Sequence, residues 1–170
     1  MKKLMKVALS SEQIKKAVNT NLLTYNELIN YNSLAKVLGA YKSCVILYTT
    51  SDNRGHWCLI FEQNPETIEF FDPYGSIIDS QLKYISESYK QKSGFNHTYL
   101  IKLILKSKYK YIEYNSYKFQ SKGNNINTCG RHVITRLKYR NLNLDDYFKM
   151  IKNSGMNGDY FVTIETKNIS

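Results

Sequence analysis

Helix-like and strand-like hydrophobic spacings succeed one another along the chain without a repeating rhythm. Ser10 or Ser11 stands where a helix cap is wanted, ahead of Ile14 and Val18 on one helical face. A second helical stretch is expected over residues 25–38, stopping at Gly39. Residues 44–50 are apolar and β-branched and read as a buried strand. Two more strands, 56–62 and 67–72, flank a turn at Gln63-Asn64-Pro65-Glu66, and Pro73-Tyr74-Gly75 stops the second. Leu82, Ile85 and Tyr89 then recur at helical spacing within 80–90, and the stretch 98–119, rich in Tyr, Ile, Leu and Lys, is expected to hold strands. A polar loop over 120–128 leads into a helix over 129–140, whose apolar side carries Val133, Ile134 and Leu137. Asn143 caps a helix over 144–152 with Leu144, Phe148 and Ile151 on one face, and 160–165 closes the chain as a strand. Helices and strands without βαβ alternation give an α+β fold, expected as a single domain over 1–170.

The strands 56–62 and 67–72 can be tested against each other. In an antiparallel pair, opposite residues point to one face. A five-residue turn over 62–66 pairs Ile60 with Ile68, Cys58 with Phe70 and His56 with Asp72. The other face then gathers Trp57, Leu59, Phe61, Glu69 and Phe71, so both faces are largely apolar, as a central sheet requires. The polar pair sits at the open end of the hairpin, its side chains about 5 Å apart. A carboxylate there accepts the Nδ1 proton of the imidazole, fixes its tautomer and raises its basicity. The plain alternative is an ion pair at a sheet edge.

Charge adds one possibility. The chain is +10, but 20 Lys stand against 4 Arg, together with 17 Asn and 15 Tyr, a mixture that AT-rich coding over-produces. A field of this sign attracts polyanions. Lys102, Lys106, Lys108, Lys110, Lys118 and Lys122, interleaved with tyrosines and opposed only by Glu113, are the candidate DNA-binding stretch, with a solvated lysine face as the alternative. No apolar run approaches the roughly 20 residues of a membrane span, and Lys6, Ser10, Ser11 and Glu12 break any signal-peptide core, so a soluble, intracellular, non-secreted protein is expected. Three cysteines, Cys44, Cys58 and Cys129, make no disulfide framework and fit a reducing compartment.

Cys129 differs from the other two. In Asn127-Thr128-Cys129-Gly130-Arg131-His132-Val133 it follows a capping candidate and heads a helix, where free N–H groups and the positive dipole end stabilise a thiolate. Its N–H can face an oxyanion, and Gly130 has no side chain to obstruct the approach. Gln120, nine residues upstream, offers a neutral amide as a second oxyanion donor. Cys44 and Cys58 read as core thiols, Trp57 as packing that walls a cleft, Arg131 and His132 as lining of the first helical turn, and His97 has no motif partner.

Gly55-His56-Trp57, Phe70-Phe71-Asp72-Pro73-Tyr74-Gly75, Gln120 and Thr128-Cys129-Gly130-Arg131-His132-Val133, in that order, resemble the adenain clan of cysteine proteases. The clan includes the SUMO-deconjugating proteases and the capsid-maturation proteases of large DNA viruses, virophages and Maverick-type elements, and the viral members are the closest in size and motif. The resemblance covers about residues 45–137. It implies a papain-like fold with a central mixed sheet and the nucleophile heading a packed helix. It also implies His56 as base, Asp72 as its orienter, Gln120 as oxyanion donor and Cys129 as nucleophile, with no metal or organic cofactor. The stretch from Gln120 to Cys129 is a few residues longer than the clan's pattern, which leaves Asn124, Asn125 or Asn127 as alternative amides.

The expected activity is endoproteolysis of virion precursor proteins after small, Gly-containing motifs, in the host cytoplasm or the virion. One alternative is a deconjugase of ubiquitin-like modifiers, whose tails end in Gly-Gly. A second is a zinc-bearing nucleic-acid module with His56, Cys58, Cys129 and His132 as ligands, although its first pair is spaced more tightly than zinc motifs usually are.

Overall fold

The computed structural model describes residues 2–51, 54–93, 98–123 and 125–169; His97 and Asn124 lie outside them. Helices α1 (Lys2–Met5) and α2 (Ser11–Ala17) open the chain. Ser10 and Gln13 close a capping box on α2: the Gln13 N–H donates to Ser10 Oγ and the Ser10 N–H to Gln13 Oε1. The stretch expected as one helix over 25–38 is two pieces. It begins behind a short strand β1 (Asn21–Thr24), forms a 3₁₀ turn over Tyr25–Asn30, and resumes as α3 (Leu34–Leu38). The break has a local cause: Thr24 and Glu27 cap the first piece, and Ser33 starts a new helix by accepting from the Lys36 N–H.

Strands β2 (Ser43–Ser51), β3 (Arg54–Asn64) and β4 (Thr67–Phe71) follow as the alternation predicts. Residues 80–90 split into a 3₁₀ turn, Ser80–Tyr84, and α4 (Glu87–Ser93). Residues 98–119 hold one short strand and a helix that the composition concealed, α5 (Leu100–Leu105) and β5 (Tyr111–Tyr114). Helices α6 (Cys129–Lys138), α7 (Leu144–Asn153) and α8 (Gly158–Glu165) complete the chain. The last of these corrects the expected closing strand. Asn157 Oδ1 accepts the Tyr160 N–H and caps the helix, and packing overrides the β-branched composition.

The five strands form one mixed sheet in the order β1-β2-β3-β4-β5, parallel at both outer pairs and antiparallel in the middle. Period-two alternation sends even positions to one face and odd positions to the other. Cys44, Ile46, Tyr48, Cys58, Ile60, Ile68 and Phe70 pack against Leu28, Leu34 and Val37 and, from α5, Leu100 and Ile104. Val45, Trp57, Leu59, Phe61 and Phe71 pack against α6 and α7 through Val133, Ile134, Leu137, Tyr147 and Ile151. This is the α+β arrangement expected, with a central sheet between two apolar layers. No helix among the described residues is long and apolar enough to cross a membrane.

One ion pair is built into the α6 side. Arg136 donates through Nε and Nη2 to both carboxylate oxygens of Glu69 on β4, at 2.8 and 2.7 Å, and its guanidinium also reaches the carbonyls of Tyr139 and Leu142. Both side chains are fully buried. Burial pushes the Glu69 carboxyl up, and Arg136 opposes that. Arg136→Ala leaves that carboxylate without its partner, so it is expected to cost about 3–5 kcal/mol in urea unfolding. Truncation of an exposed, solvent-screened pair such as Lys149–Asp146 is expected to cost under about 1 kcal/mol.

Candidate active site

The hairpin brings His56 and Asp72 together by a different register from the one expected. Leu59 pairs with Phe71, Ile60 with Phe70 and Glu62 with Ile68, a displacement of two residues, and an irregularity between Glu62 and Asn64 tightens the turn. Because the slip is even, every side chain keeps its face. Continued beyond Leu59, this register sets Cys58 opposite Asp72 and His56 opposite Tyr74. The His56–Asp72 contact is therefore diagonal, with Nε2 to Oδ1 at 2.7 Å. The ring of Tyr74 stacks on the imidazole at 4.5 Å between centroids.

Asp72 is fully buried and held on every side. Besides His56, its carboxylate accepts from the Tyr74 N–H at 2.8 Å and from Gln81 Nε2 at 2.5 Å. The Asn115 side chain clamps its backbone, accepting from the Asp72 N–H and donating to the Asp72 carbonyl. Burial pushes the carboxyl pKa up, but His56, Gln81 and the Tyr74 N–H outweigh it and hold it below the usual range. The group is an anion bound to Nε2, not to Nδ1 as expected from sequence. Nδ1 is thus the nitrogen left for a thiol; Cys58 Sγ lies within 4.8 Å of a ring nitrogen, and Cys129 is near enough to shift the pKa of the imidazole.

Cys129 is the first residue of α6 and is 8% exposed. Thr128 occupies the N-cap position, and its carbonyl accepts the His132 N–H, but its hydroxyl makes no cap hydrogen bond. Burial pushes the Cys129 thiol up. The His56 ring, by hydrogen bond and by charge, and the N–H groups of Trp57 and Gly130 reverse this, and the pKa falls below that of an ordinary thiol. His56 shows the mirror effect. Burial alone would depress it, yet its charged neighbours, Asp72 and Cys129 among them, raise it well above the usual imidazole value. Opposite shifts of this kind favour a thiolate–imidazolium pair.

Gly130 has a packing role that sequence reasoning missed. A Cβ there would lie 3.1 Å from Leu9 Cβ and 3.4 Å from Trp57 Cδ1, so glycine lets the helix start press onto Trp57. Trp57 Nε1 in turn donates to the Leu9 carbonyl at 3.3 Å and ties down the N-terminal segment.

Gln120 joins the group. The N–H groups of Phe119 and Gln120 both donate to the Pro73 carbonyl, which fixes this segment to the turn after Asp72. The Gln120 side chain is buried, and Nε2 donates to the Tyr74 hydroxyl at 3.3 Å, near the limit for such a bond. His56, Tyr74, Gln120 and Cys129 line one cleft of about 990 Å³, rimmed by Arg54 and Lys122. Of the alternative amides, Asn125 is exposed and Asn127 donates to the Lys6 carbonyl.

The remaining sequence candidates fall elsewhere. Cys44 and Cys58 are fully buried thiols, each pushed up to about 12 by burial, as expected of core cysteines. The four zinc ligands imagined from sequence do not assemble. Among the described residues the group with metal-ligand spacing is His56, Cys58 and Asp72, within 4.8 Å of one another, while His132 Nε2 is engaged by Asp159. The lysine stretch is partly neutralised, since Lys108 pairs with Glu62 and Lys110 with Glu66. Tyr74 carried a signal in the Phe-Asp-Pro-Tyr-Gly run. Gln81 and Asn115 are single polar residues with no local pattern to mark them.

No family model matches the chain. The uncharacterized protein V9 of Sputnik virophage is 38% identical over 148 residues, which span 86% of this chain and 84% of that protein. Among solved structures, the crystal structure of a de-sumoylating protease aligns with 93% of this chain and 66% of that one, at 18% identity and a TM-score of 0.29, a likeness too weak to argue from. The extent and identity of the virophage match place the chain in the same family as Sputnik V9.

Proposed function

We propose that this protein is a cysteine endopeptidase of the adenain type, with Cys129 as nucleophile, His56 as general acid and base, Asp72 as the anchor of His56 and Gln120 as oxyanion donor. One observation carries the reading: a thiol at a helix start, an imidazole fixed by a buried carboxylate and a buried amide line the same cleft, and the imidazole holds the thiol pKa down.

The Cys129 thiolate attacks a peptide carbonyl carbon, a C–S bond forms, and the carbonyl oxygen takes the negative charge. Gln120 Nε2 and the Cys129 N–H donate to that oxyanion; the long bond from Gln120 to Tyr74 is weak enough to exchange. As the intermediate collapses, the C–N bond breaks and His56 gives its proton to the leaving amine. Water then adds to the thioester while His56 takes its proton, and the acid and the thiolate are released. Asp72 stays ionised throughout and keeps Nε2 occupied, so the imidazole presents Nδ1 to the reaction.

The kinship with a virophage protein supports processing of virion precursors as the biological task. The test is a peptide ending in Gly-Gly with a vinyl sulfone in place of the scissile carbonyl. The expected result is one adduct per chain, mapped by mass spectrometry to Cys129, with Cys44 and Cys58 unmodified. No adduct, or an adduct on another cysteine, refutes the reading.

A further inference from the structure

Behind the cleft, where α8 begins, lies a cluster of buried polar groups that the steps above do not use. Asp159, in the first turn of α8, is 1% exposed and has three partners. Its Oδ2 accepts the Ser121 N–H at 2.9 Å, its Oδ1 accepts the Thr128 hydroxyl, and Oδ1 lies 3.2 Å from His132 Nε2. Ser121 directly follows Gln120, Thr128 directly precedes Cys129, and His132 stands one turn into α6. One carboxylate thus grips both ends of the polar loop that separates the amide from the sulfur.

The approach of α8 is itself built in. A Cβ on Gly158 would fall 2.1 Å from the Phe119 carbonyl oxygen and 3.3 Å from His132 Cε1, so only glycine lets this turn come so close to the Gln120 segment. Burial pushes the Asp159 carboxyl up, but His132, Thr128 and Ser121 outweigh it and keep it ionised. Burial holds the His132 pKa down, which favours the neutral ring, and a neutral ring with its proton on Nε2 is a donor to Asp159. The three hydrogen bonds are therefore charge-assisted and converge on a single anion in a dry site.

From this geometry we infer that Asp159 is a positioning residue that sets the separation between the Gln120 amide and the Cys129 sulfur, so that both meet one substrate carbonyl. The role rests on the protease reading and deepens it. It also accounts for a loop between Gln120 and Cys129 that is longer than the adenain pattern: the extra length is closed by a group from α8. Asp159 touches neither substrate nor sulfur, so removing its charge leaves the thiolate supply to His56 while disturbing the oxyanion site.

The test compares the native chain with Asp159→Asn and Thr128→Val in two assays. Iodoacetamide alkylation of Cys129 across pH reads the thiolate alone. Turnover of a Gly-Gly-aminocoumarin peptide reads acyl transfer. In both variants kcat is expected to fall about 10²-fold with KM within about twofold of native, the signature of an interaction made in the transition state. The alkylation rate and its pH midpoint are expected to stay at native values. Native kcat in both variants overturns the role, and so does a loss of alkylation that matches the loss of turnover, since that marks general disruption of the site. If Asp159→Asn does not fold, Thr128→Val decides alone by the same criteria. A native chain that is alkylated but never turns over the peptide sinks the protease reading and this role with it; an active native chain with unaffected variants sinks only the role.

Discussion

Replacing Cys129 with alanine is expected to lower peptide turnover by about 10⁶-fold, to the level of the uncatalysed reaction with weak help from binding. The size of the loss follows from the absence of a substitute. Cys58 also lies within 4.8 Å of the imidazole, but it is fully buried and its thiol is pushed up to about 12, so it supplies almost no thiolate at neutral pH. Cys44 is as deeply buried on its strand and equally unionised. Cys129→Ser is expected to fare little better, because the proposed mechanism relies on a stabilised thiolate, and a hydroxyl is far harder to ionise. The melting temperature should change little in either case, since the side chain is small and lies at the rim of the apolar layer. Steady-state hydrolysis of the aminocoumarin peptide at a high concentration of the variant, with peptide in excess, measures the residual rate. Activity within tenfold of native refutes the assignment of the nucleophile.

His56→Ala is expected to lower turnover by about 10⁴-fold and to move the acid limb of Cys129 alkylation upward. The sign follows from the balance of forces on the sulfur. Burial raises the thiol pKa; the imidazole, by hydrogen bond and by charge, lowers it most, with smaller help from the N–H groups of Trp57 and Gly130. The reactive form is the thiolate, so alkylation grows as pH rises through the Cys129 pKa. In the native chain that rise lies below that of an ordinary thiol. Without His56 the burial effect remains and its main opponent is gone, so the rise shifts to higher pH. On the alkaline side, His56 keeps its proton well above the usual imidazole value, and the general acid persists into mildly basic solution. An alkylation profile that is identical in native and His56→Ala protein would show that the imidazole does not govern the sulfur.

The alternation of apolar positions was enough to place β2, β3 and β4 and to divide the core between two faces, because a sheet covered on both sides leaves each strand little choice. The pairing of His56 with Asp72 was found from a register that is wrong by two residues, since an even slip preserves the face and a diagonal neighbour is still within reach. Cys129 stood out because a helix start is written locally, in Thr128, Gly130 and the spacing of Val133, Ile134 and Leu137. The misreadings share a cause. Phe161-Val162-Thr163-Ile164 has the composition of a strand, and its helix is decided by Asn157 and by what α8 packs against. Gln81, Asn115 and Asp159 act on residues 9, 43 and 38 positions away, and nothing in their immediate neighbours announces those partners.

The two chemical partners are carried by different layers of the molecule: imidazole on the central hairpin, sulfur on a helix packed against that hairpin's opposite face. Arg136 bolts the far end of α6 to Glu69 on the strand that leads directly into Asp72. The helix therefore behaves as a rigid strut, its foot pinned to Glu69 on that strand, three residues ahead of Asp72, and its tip bearing the sulfur. Sliding one layer over the other, which would separate the reactants, must first break a dry, two-pronged ion pair; a shift small enough to leave that anchor intact leaves the reacting distance intact as well.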